Sequence, residues 1–391
     1  MHPALPQLID QVRAAAAARA PLRLRGGGTK DFHGPGALQG LRGTVLDTRA
    51  LAGIVSYEPS ELVVTAWAGT PLAQLEAALA ERRQCLPFEP PHFATPDAGA
   101  GATVGGMVAA GLSGPARVSV GAVRDYVLGL HLVNGRGEAL CFGGQVMKNV
   151  AGYDVSRLMV GAWGTLGLIT QVSLKVLPVA PAEATLRFSY TQTAALQRVL
   201  DWARQPLPIN ASIWVPASND NAGAGDSAAP QQWGWLYVRL RGAAAAVEEA
   251  CRALGGERLA TQDAATHWLA CREQTLPWFA ARAPMHALWR LSLPATAPLL
   301  ALPATASAPL LEWHGALRWV QAPLADAAAL VEAARTVGGN ASIFRAPSAG
   351  GDCPQCLFGL QSAALQKIQA RVRAAFDPLG IFNPGRMAAG A

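Results

Sequence analysis

Three glycine-rich stretches are the parts of this sequence best suited to chemistry. The first reads Arg25-Gly26-Gly27-Gly28-Thr29-Lys30. Consecutive glycines let a backbone come within hydrogen-bond range of a phosphate, and their N–H groups form a concave anion nest. Arg25 and Lys30 add positive charge, and Thr29 adds a hydroxyl donor. A plain surface turn is the competing reading. The position between a strand-like LRLR and a polar loop favours the anion. The second stretch, GAGATVGGMVAAGLSG over 99–114, consists almost wholly of small residues. A large flat ligand can lie against such a segment without steric conflict, and Thr103 and Ser113 can donate to phosphate. Close packing of a glycine-rich helix is its alternative. The third stretch, Gly161-Ala162-Trp163-Gly164-Thr165-Leu166-Gly167-Leu168-Ile169, leads straight into a strand, which suits an aromatic base lying on backbone.

The familiar fingerprints fail. Gly34 and Gly36 have their next glycine at 40, and Gly99 and Gly101 at 105, so neither pair makes GxGxxG. The sequence also lacks GxxxxGK[ST], GxSxG and HExxH, which argues against P-loop, α/β-hydrolase and zincin chemistry. Cys353 and Cys356 form one CxxC with no second pair and no histidines nearby; it reads as a loop dithiol, and no metal site is expected. Cys85, Cys141, Cys251 and Cys271 are scattered among apolar residues and read as buried thiols of a reducing compartment.

The elements that must carry these loops alternate in type. Leu62–Ala66 reads as a strand. Thr70-Pro71 then opens a helix with Leu72, Leu75 and Leu79 on one face, Thr70 serving as cap. Val127–Val133 has period two, and Asn134-Gly135 turns it back into Ala139–Phe142. Ile169–Val176 reads as a further strand. Strands mixed with helices and hairpins indicate an α+β fold. The prolines after residue 177 place a domain boundary at 178/179. Beyond it, Tyr237–Leu240 and Leu288–Leu293 read as strands, and Ala243–Leu254, Ala325–Val337 and Ala363–Phe376 as helices. Residues 216–232 read as a polar loop tip. In AGYDVSRL, Tyr153 and Asp154 read as a turn seating the third glycine stretch, with Lys148 and Asn149 just before it.

The 391 residues suggest two domains. A net charge of +6 with no basic run longer than two residues excludes a nucleic-acid stripe. Residues 1–19 read as a surface helix and not a signal peptide. The uncharged stretch 291–311 is interrupted by Pro294, Pro298, Pro303 and Pro309, against a membrane helix. A soluble, cytoplasmic protein is expected, reaching a membrane only peripherally, at its inner face, through partners.

Taken in order, the segments RGGGTKDFHG, PHFATPDAGAGATVGGMVAAGLSG, SVGAVRDYVLGLHLV and MKNVAGYDVSRLMVGAWGTLGLITQVSLKVLP resemble the FAD-binding domain of the vanillyl-alcohol oxidase/p-cresol methylhydroxylase (PCMH-type) superfamily. The closing FDPLGIFNPGRM resembles the C-terminal segment of its D-lactate and glycolate dehydrogenase branch. LDTRALAGIVSYEPSELVVTAWAGTPL, LPFEPPHF and GALRWV resemble the E subunits of bacterial glycolate oxidase. The resemblance implies a two-subdomain FAD-binding domain over 1–178. It implies an α+β cap domain over 179–391, with a flavin-contacting segment at 376–388. It implies that Gly26, Gly27, Gly28, Thr29 and Lys30 hold the pyrophosphate. Thr103, Val104, Gly105, Gly106, Gly111, Ser113 and Gly114 would line the isoalloxazine and ribityl side. Gly121, Ala122, Val123 and Arg124 would lie near the adenosine or flavin edge. Gly161, Thr165, Gly167 and Ile169 would meet adenine or ribose, and Asn383 and Arg386 would approach from the C-terminus.

Two departures bear on chemistry. Covalent members carry His or Cys near these loops; here Thr29 follows the triple glycine and His33 reads as a loop histidine, so noncovalent FAD is expected. Catalytic members of the branch carry an HxGDGNxH cluster, and this sequence has none. Oxidising a 2-hydroxy acid needs a hydride acceptor, a base for the hydroxyl proton and an arginine for the carboxylate. Arg290 and Arg318 are the carboxylate candidates and His314 the base candidate, each with a structural role as its alternative. The resemblance implies a D-type flavin subunit and an F-type iron–sulfur subunit as partners. It leaves the glycolate or D-lactate site with this chain or with the D-type subunit. The rival readings are a self-sufficient D-2-hydroxy-acid dehydrogenase, a flavin-free assembly subunit and an NADPH-dependent reductase.

Overall fold

A computed structural model describes residues 2–34, 42–93, 101–144, 153–217, 233–349 and 363–387. The chain divides into two compact units, and the fold is α+β in both. A single cut after residue 178 does not describe them. The first unit combines Met1–Ser113, Ala122–Val179 and Leu360–Ala391, and the second combines Gly114–Gly121 with Ala180–Gly359. The C-terminus rejoins the first unit because Leu22 and Phe382 form a parallel bridge, with Leu22 N donating to Ile381 O at 2.7 Å.

In the first unit, β1 (Leu22–Arg25) pairs in parallel with β2 (Thr44–Asp47), and β5 (Gln84–Cys85) pairs antiparallel with β9 (Leu177–Pro178). A separate antiparallel sheet has the order β3 (Ile54–Glu58), β4 (Val63–Trp67), β8 (Leu168–Lys175), β6 (Val127–Val133), β7 (Ala139–Gly143). The helices Leu72–Ala80 and Val104–Ala110 share a core with it, where Val64, Leu72, Leu75, Leu79, Met107, Leu130 and Val172 are buried. The N-terminal helix Leu5–Ala18 buries Leu8, Val12 and Ala15 in a second cluster with Leu22, Leu46, Ile381 and Phe382. That cluster ties the first strand to the C-terminal segment.

Several local expectations change in detail. The helix at 72 is capped by Pro71, with no side-chain cap. The Thr70 hydroxyl is instead used by neighbouring backbone, 2.7 Å from Trp67 O and accepting from Gly53 N at 3.0 Å. The β6–β7 turn is wider than Asn134-Gly135: Asn134 Oδ1 accepts from Arg136 N (2.9 Å) and Glu138 N (3.0 Å). Of the four cysteines read as buried, only Cys271 is; Cys141 is exposed because β7 is an edge strand that leaves its face open. Asp154 caps the short helix Val155–Met159 and Tyr153 is exposed. Lys148, Asn149, Cys353, Cys356 and nearly all of 216–232 lie outside the described residues.

The second unit is an eight-stranded antiparallel sheet of order β13 (Glu257–Arg258), β10 (Ala182–Thr191), β12 (Trp233–Gly242), β11 (Ile209–Pro216), β15 (Leu310–Glu312), β16 (Leu317–Pro323), β14 (His286–Ser292), β17 (Asn340–Arg345). The helices Gln192–Ala203 and Ala244–Leu254 bury Leu196, Val199, Trp202 and Val247 against Trp214, Leu236, Val238 and Leu240. No helix among the described residues is long and apolar enough to cross a membrane. No described group of three or more His, Cys, Asp or Glu gathers as a metal site would require.

Candidate functional site

The first unit contains a cleft built around the triple glycine. Arg23 to Asp31 form one wall, Thr103, Gly106, Ala109 and Ala110 another, and Arg42, Trp163, Asn383, Pro384 and Arg386 complete it. The glycines are there because nothing larger fits. A Cβ on Gly27 would lie 1.6 Å from Gly101 O, and one on Gly26 would lie 2.2 Å from Thr103 Oγ1. Gly28 has φ +72°, a left-handed conformation that glycine adopts without strain. The first two glycine stretches are therefore in backbone contact, and the chemistry of the cleft is set at that seam.

Its electrostatics are cationic. Among the described residues, Arg23, Arg25, Lys30, Arg42 and Arg386 all line it, against the carboxylate of Asp31. Asp31 Oδ2 accepts from Arg23 Nη2 at 2.5 Å and from Arg25 Nε at 3.0 Å. Arg23 Nε is buried with no hydrogen-bond partner among the described residues. Lys30 Nζ donates to Thr29 Oγ1 at 3.2 Å and sits 5.6 Å over the Phe93 ring. An excess of cations, an orphaned donor and a floor of bare backbone suit a pyrophosphate.

The C-terminal segment holds this cleft in shape. Asn383 Oδ1 accepts from Leu24 N at 2.8 Å while its Nδ2 donates to Trp163 O at 2.7 Å. One side chain thus joins the first strand to the third glycine stretch. Arg386 Nη2 donates to Lys30 O at 2.6 Å, and its guanidinium lies 5.2 Å over Trp163. Burial pulls its pKa down to about 10, leaving it charged at neutral pH. Asp377 steadies the turn before them, accepting from Phe382 N at 2.8 Å. His33 is buried, with its ring stacked 4.3 Å from that of Trp163.

The cleft gathers Gly26, Gly27, Gly28, Thr29, Lys30, Thr103, Gly106, Asn383 and Arg386. The other expected cofactor residues are placed behind or away from it. Val104, Val123 and Ile169 are in the core, and Gly105 packs against Ala68. Gly111 ends the helix Val104–Ala110, where a Cβ would lie 2.9 Å from Gly161 N. Ser113 Oγ accepts from Val123 N at 3.3 Å, and Ala122 N donates to Asp125 at 2.8 Å. Thr165 donates to Ala162 O at 2.7 Å; Gly167 lies close to Val133 O; Arg124 is exposed. Gly114 and Gly121 belong to the second unit. Arg23, Arg42, Asp31 and Trp163 were not among the expected contacts. The Leu-Arg-Leu-Arg alternation was the available signal for Arg23.

In the second unit, the three expected catalytic residues do not converge. Arg290 pairs with Trp319 across β14 and β16, whereas Leu291 pairs with Arg318, so the two arginines face opposite sides of the sheet. Arg318 is buried and spent on backbone: it donates to Ala297 O at 2.5 Å, Pro298 O at 2.6 Å and Gly315 O at 3.4 Å. Its guanidinium is not available to a substrate carboxylate. His314 Nδ1 lies 2.7 Å from Ser212 Oγ in a small cavity lined by Leu196, Trp214, Leu236 and Leu311. Burial pulls its pKa down to about 4, so it is neutral at physiological pH. Arg290 differs from both. It lies 5.3 Å from the Trp313 ring centroid, and burial, then Arg117, pull its pKa down to about 10.

Comparison with known proteins bears on both units. Residues 5–143 match the family model of an FAD binding domain. Over 380 residues, 97% of this chain and 96% of the relative, the sequence is 42% identical to the glycolate oxidase subunit GlcE of Escherichia coli (strain K12). The chain belongs to the GlcE family of glycolate oxidase subunits. It carries that family's FAD-binding domain, and it is a flavin oxidoreductase by descent. More distant relatives match about half of it. A D-lactate dehydrogenase of Archaeoglobus fulgidus is 35% identical over 190 residues, 48% of this chain and 41% of the relative. The glycolate oxidase subunit GlcD of Bacillus subtilis is 33% identical over 184 residues, 47% of this chain and 37% of the relative. Among solved structures, an alkyldihydroxyacetonephosphate synthase aligns with a TM-score of 0.66 at 14% identity, covering 97% of this chain and 74% of that one, which shows a shared fold.

Proposed function

We propose that this chain is the FAD-binding subunit of a glycolate-oxidising complex, which converts glycolate to glyoxylate and relays electrons through its flavin. The observation that carries the reading is the glycine seam, where the backbone of Gly101 leaves no room for a side chain at Gly27, beneath a ring of cations. The near full-length similarity to a glycolate oxidase subunit supplies the substrate.

Bound FAD would accept the two electrons released from the α-carbon. The chain's own residues have simpler tasks. Gly26, Gly27, Gly28 and Thr29 would present N–H and O–H donors to the pyrophosphate, with Lys30, Arg25 and Arg23 neutralising its charge. Gly106, Ala109 and Ala110 would keep the neighbouring wall flat, and Asn383 and Arg386 would hold the two sides in register. The FAD is proposed to be noncovalent. Thr29 follows the triple glycine, and the His33 ring is occupied by its stack on Trp163.

Arg318 and His314 are assigned to the architecture of the second unit, leaving Arg290 as the carboxylate candidate. No base for the hydroxyl proton is assigned within this chain. We therefore place full turnover in the complex, with a D-type flavin subunit and an F-type iron–sulfur subunit carrying electrons onward at the inner membrane face. The test is purification of the full chain alone and with its partners. Expected are a flavin spectrum, flavin released by acid precipitation, and glycolate oxidation with an artificial acceptor only when partners are present. Robust turnover by the chain alone would favour a self-sufficient dehydrogenase. A folded chain that takes up no added FAD would remove the proposal.

A further inference from the structure

Most buried arginines of the second unit are committed to their own surroundings. Arg318 donates to three carbonyls, and Arg239 donates to Asn210 Oδ1 at 2.8 Å. Arg290 is different. Among the described residues its guanidinium donates no hydrogen bond, although it is closely enclosed and only partly exposed. A second arginine is brought close to it. Arg117 lies 4.5 Å from the same Trp313 ring that Arg290 approaches at 5.3 Å. Like charges brought to one ring repel, and that repulsion adds to burial in pulling the Arg290 pKa down.

The surroundings fix this arrangement firmly. Trp313 Nε1 donates to Gly114 O at 3.0 Å. Ser119 Oγ donates to Ile209 O at 3.0 Å, which fastens the short stretch bearing Arg117 to β11. Trp313 and His314 both take left-handed conformations, φ +51° and +56°, a strain that non-glycine residues adopt only when their neighbours enforce it. The nearby acid is Glu312, on the same face of the sheet as Arg290. Its oxygens are already used: Cys271 Sγ donates to one at 3.1 Å and the Trp319 indole N–H to the other. Glu312 offsets part of the charge from a distance without occupying the guanidinium.

We infer that Arg290, Arg117 and Trp313 form a recess for the carboxylate of a small 2-hydroxy acid within the second unit. The planar guanidinium of Arg290 supplies paired donors that match a carboxylate, Arg117 adds charge, and the indole forms an apolar wall beside the short carbon chain. The carboxylate part of this inference rests on the second unit alone. Only the choice of a 2-hydroxy acid rests on the proposed function.

The test is calorimetric titration of the purified full chain with glycolate, with flavin absorbance and a thermal melt read on every sample. Wild type should bind glycolate saturably. Arg290→Gln should bind roughly tenfold more weakly or worse, as expected for losing hydrogen bonds to a charged group. Arg117→Gln should also weaken binding, and Arg290→Lys should recover part of it. All three should retain flavin and melt cooperatively. If Arg290→Gln fails to fold, Arg290→Lys and Arg117→Gln carry the comparison. The recess is overturned if folded Arg290→Gln, or in its place Arg117→Gln, binds like wild type. It is also overturned if sulfate competes as well as glycolate does, or if flavin-loaded wild type binds no glycolate. A colourless wild type that still binds glycolate would sink the flavin reading and leave the recess standing.

Discussion

The two units make ligand space by opposite means. The first removes side chains: its cleft exists because Gly26 and Gly27 let one loop touch another, and its charges surround that bare backbone. The second keeps large side chains and buries them, including Arg239, Arg318, Trp214, Trp289 and Trp319. Most of those polar groups serve the sheet itself. An arginine in the first unit is therefore read by what lies open before it, and one in the second by what already holds it. Arg290 is informative because it breaks the second pattern.

The largest effect should come from filling the glycine seam. Gly27→Ala puts a methyl group 1.6 Å from a backbone oxygen, so one of the two loops must move. The expected result is a chain purified without flavin and destabilised by about 3 kcal/mol, read by visible absorbance and denaturant titration. A flavin-loaded Gly27→Ala protein of normal stability would break the contrast between the units. Next is Arg318→Met. It strands carbonyls that now accept from a buried guanidinium and should cost on the order of 3 kcal/mol, with flavin content per folded molecule unchanged. Loss of flavin without loss of stability would show that the second unit's arginines are not structural in the way described.

Smaller changes sharpen the same comparison. Asn383→Ala removes the link between Leu24 and Trp163 and should weaken FAD binding by roughly tenfold, or about 1.4 kcal/mol, as measured by fluorescence titration of the deflavinated chain. The last prediction concerns pH. His314 is held at about 4 against an ordinary 6.5, so the unfolded chain takes up its proton more readily than the folded one. Its contribution to stability is complete above about 6.5 and is lost as pH falls toward about 4, where both states are protonated. Relative to His314→Gln, wild type should lose extra stability across that window, by at most about 1.4 kcal/mol per pH unit. Equal slopes in denaturant titrations at several pH values would contradict the buried, neutral histidine.

The same contrast explains what could be read from the sequence. Glycine strings next to Arg and Lys announce a seam of bare backbone lined by cations, because few other structures need consecutive bare backbone. Asn383 and Arg386 came from the family resemblance and not from spacing; they reach the cleft only because the C-terminus bridges to Leu22. The roles in the second unit were not legible in that way. Arg290 and Arg318 sit on similar apolar strands, and only the register of β14 against β16 separates their faces. Arg117 and Trp313 are nearly two hundred residues apart, so no local pattern could join them. The return of 376–387 to the first unit, and the transfer of Gly114–Gly121 to the second, likewise depend on long-range contacts.

The most direct test of the central claim is the visible spectrum of the purified full chain, before and after acid precipitation, set beside that of Gly27→Ala. The account predicts a flavin spectrum in wild type, flavin left wholly in the supernatant after precipitation, and a colourless Gly27→Ala protein. Flavin that stays with the precipitated protein would contradict the noncovalent assignment. Equal flavin in wild type and Gly27→Ala would contradict the cradle.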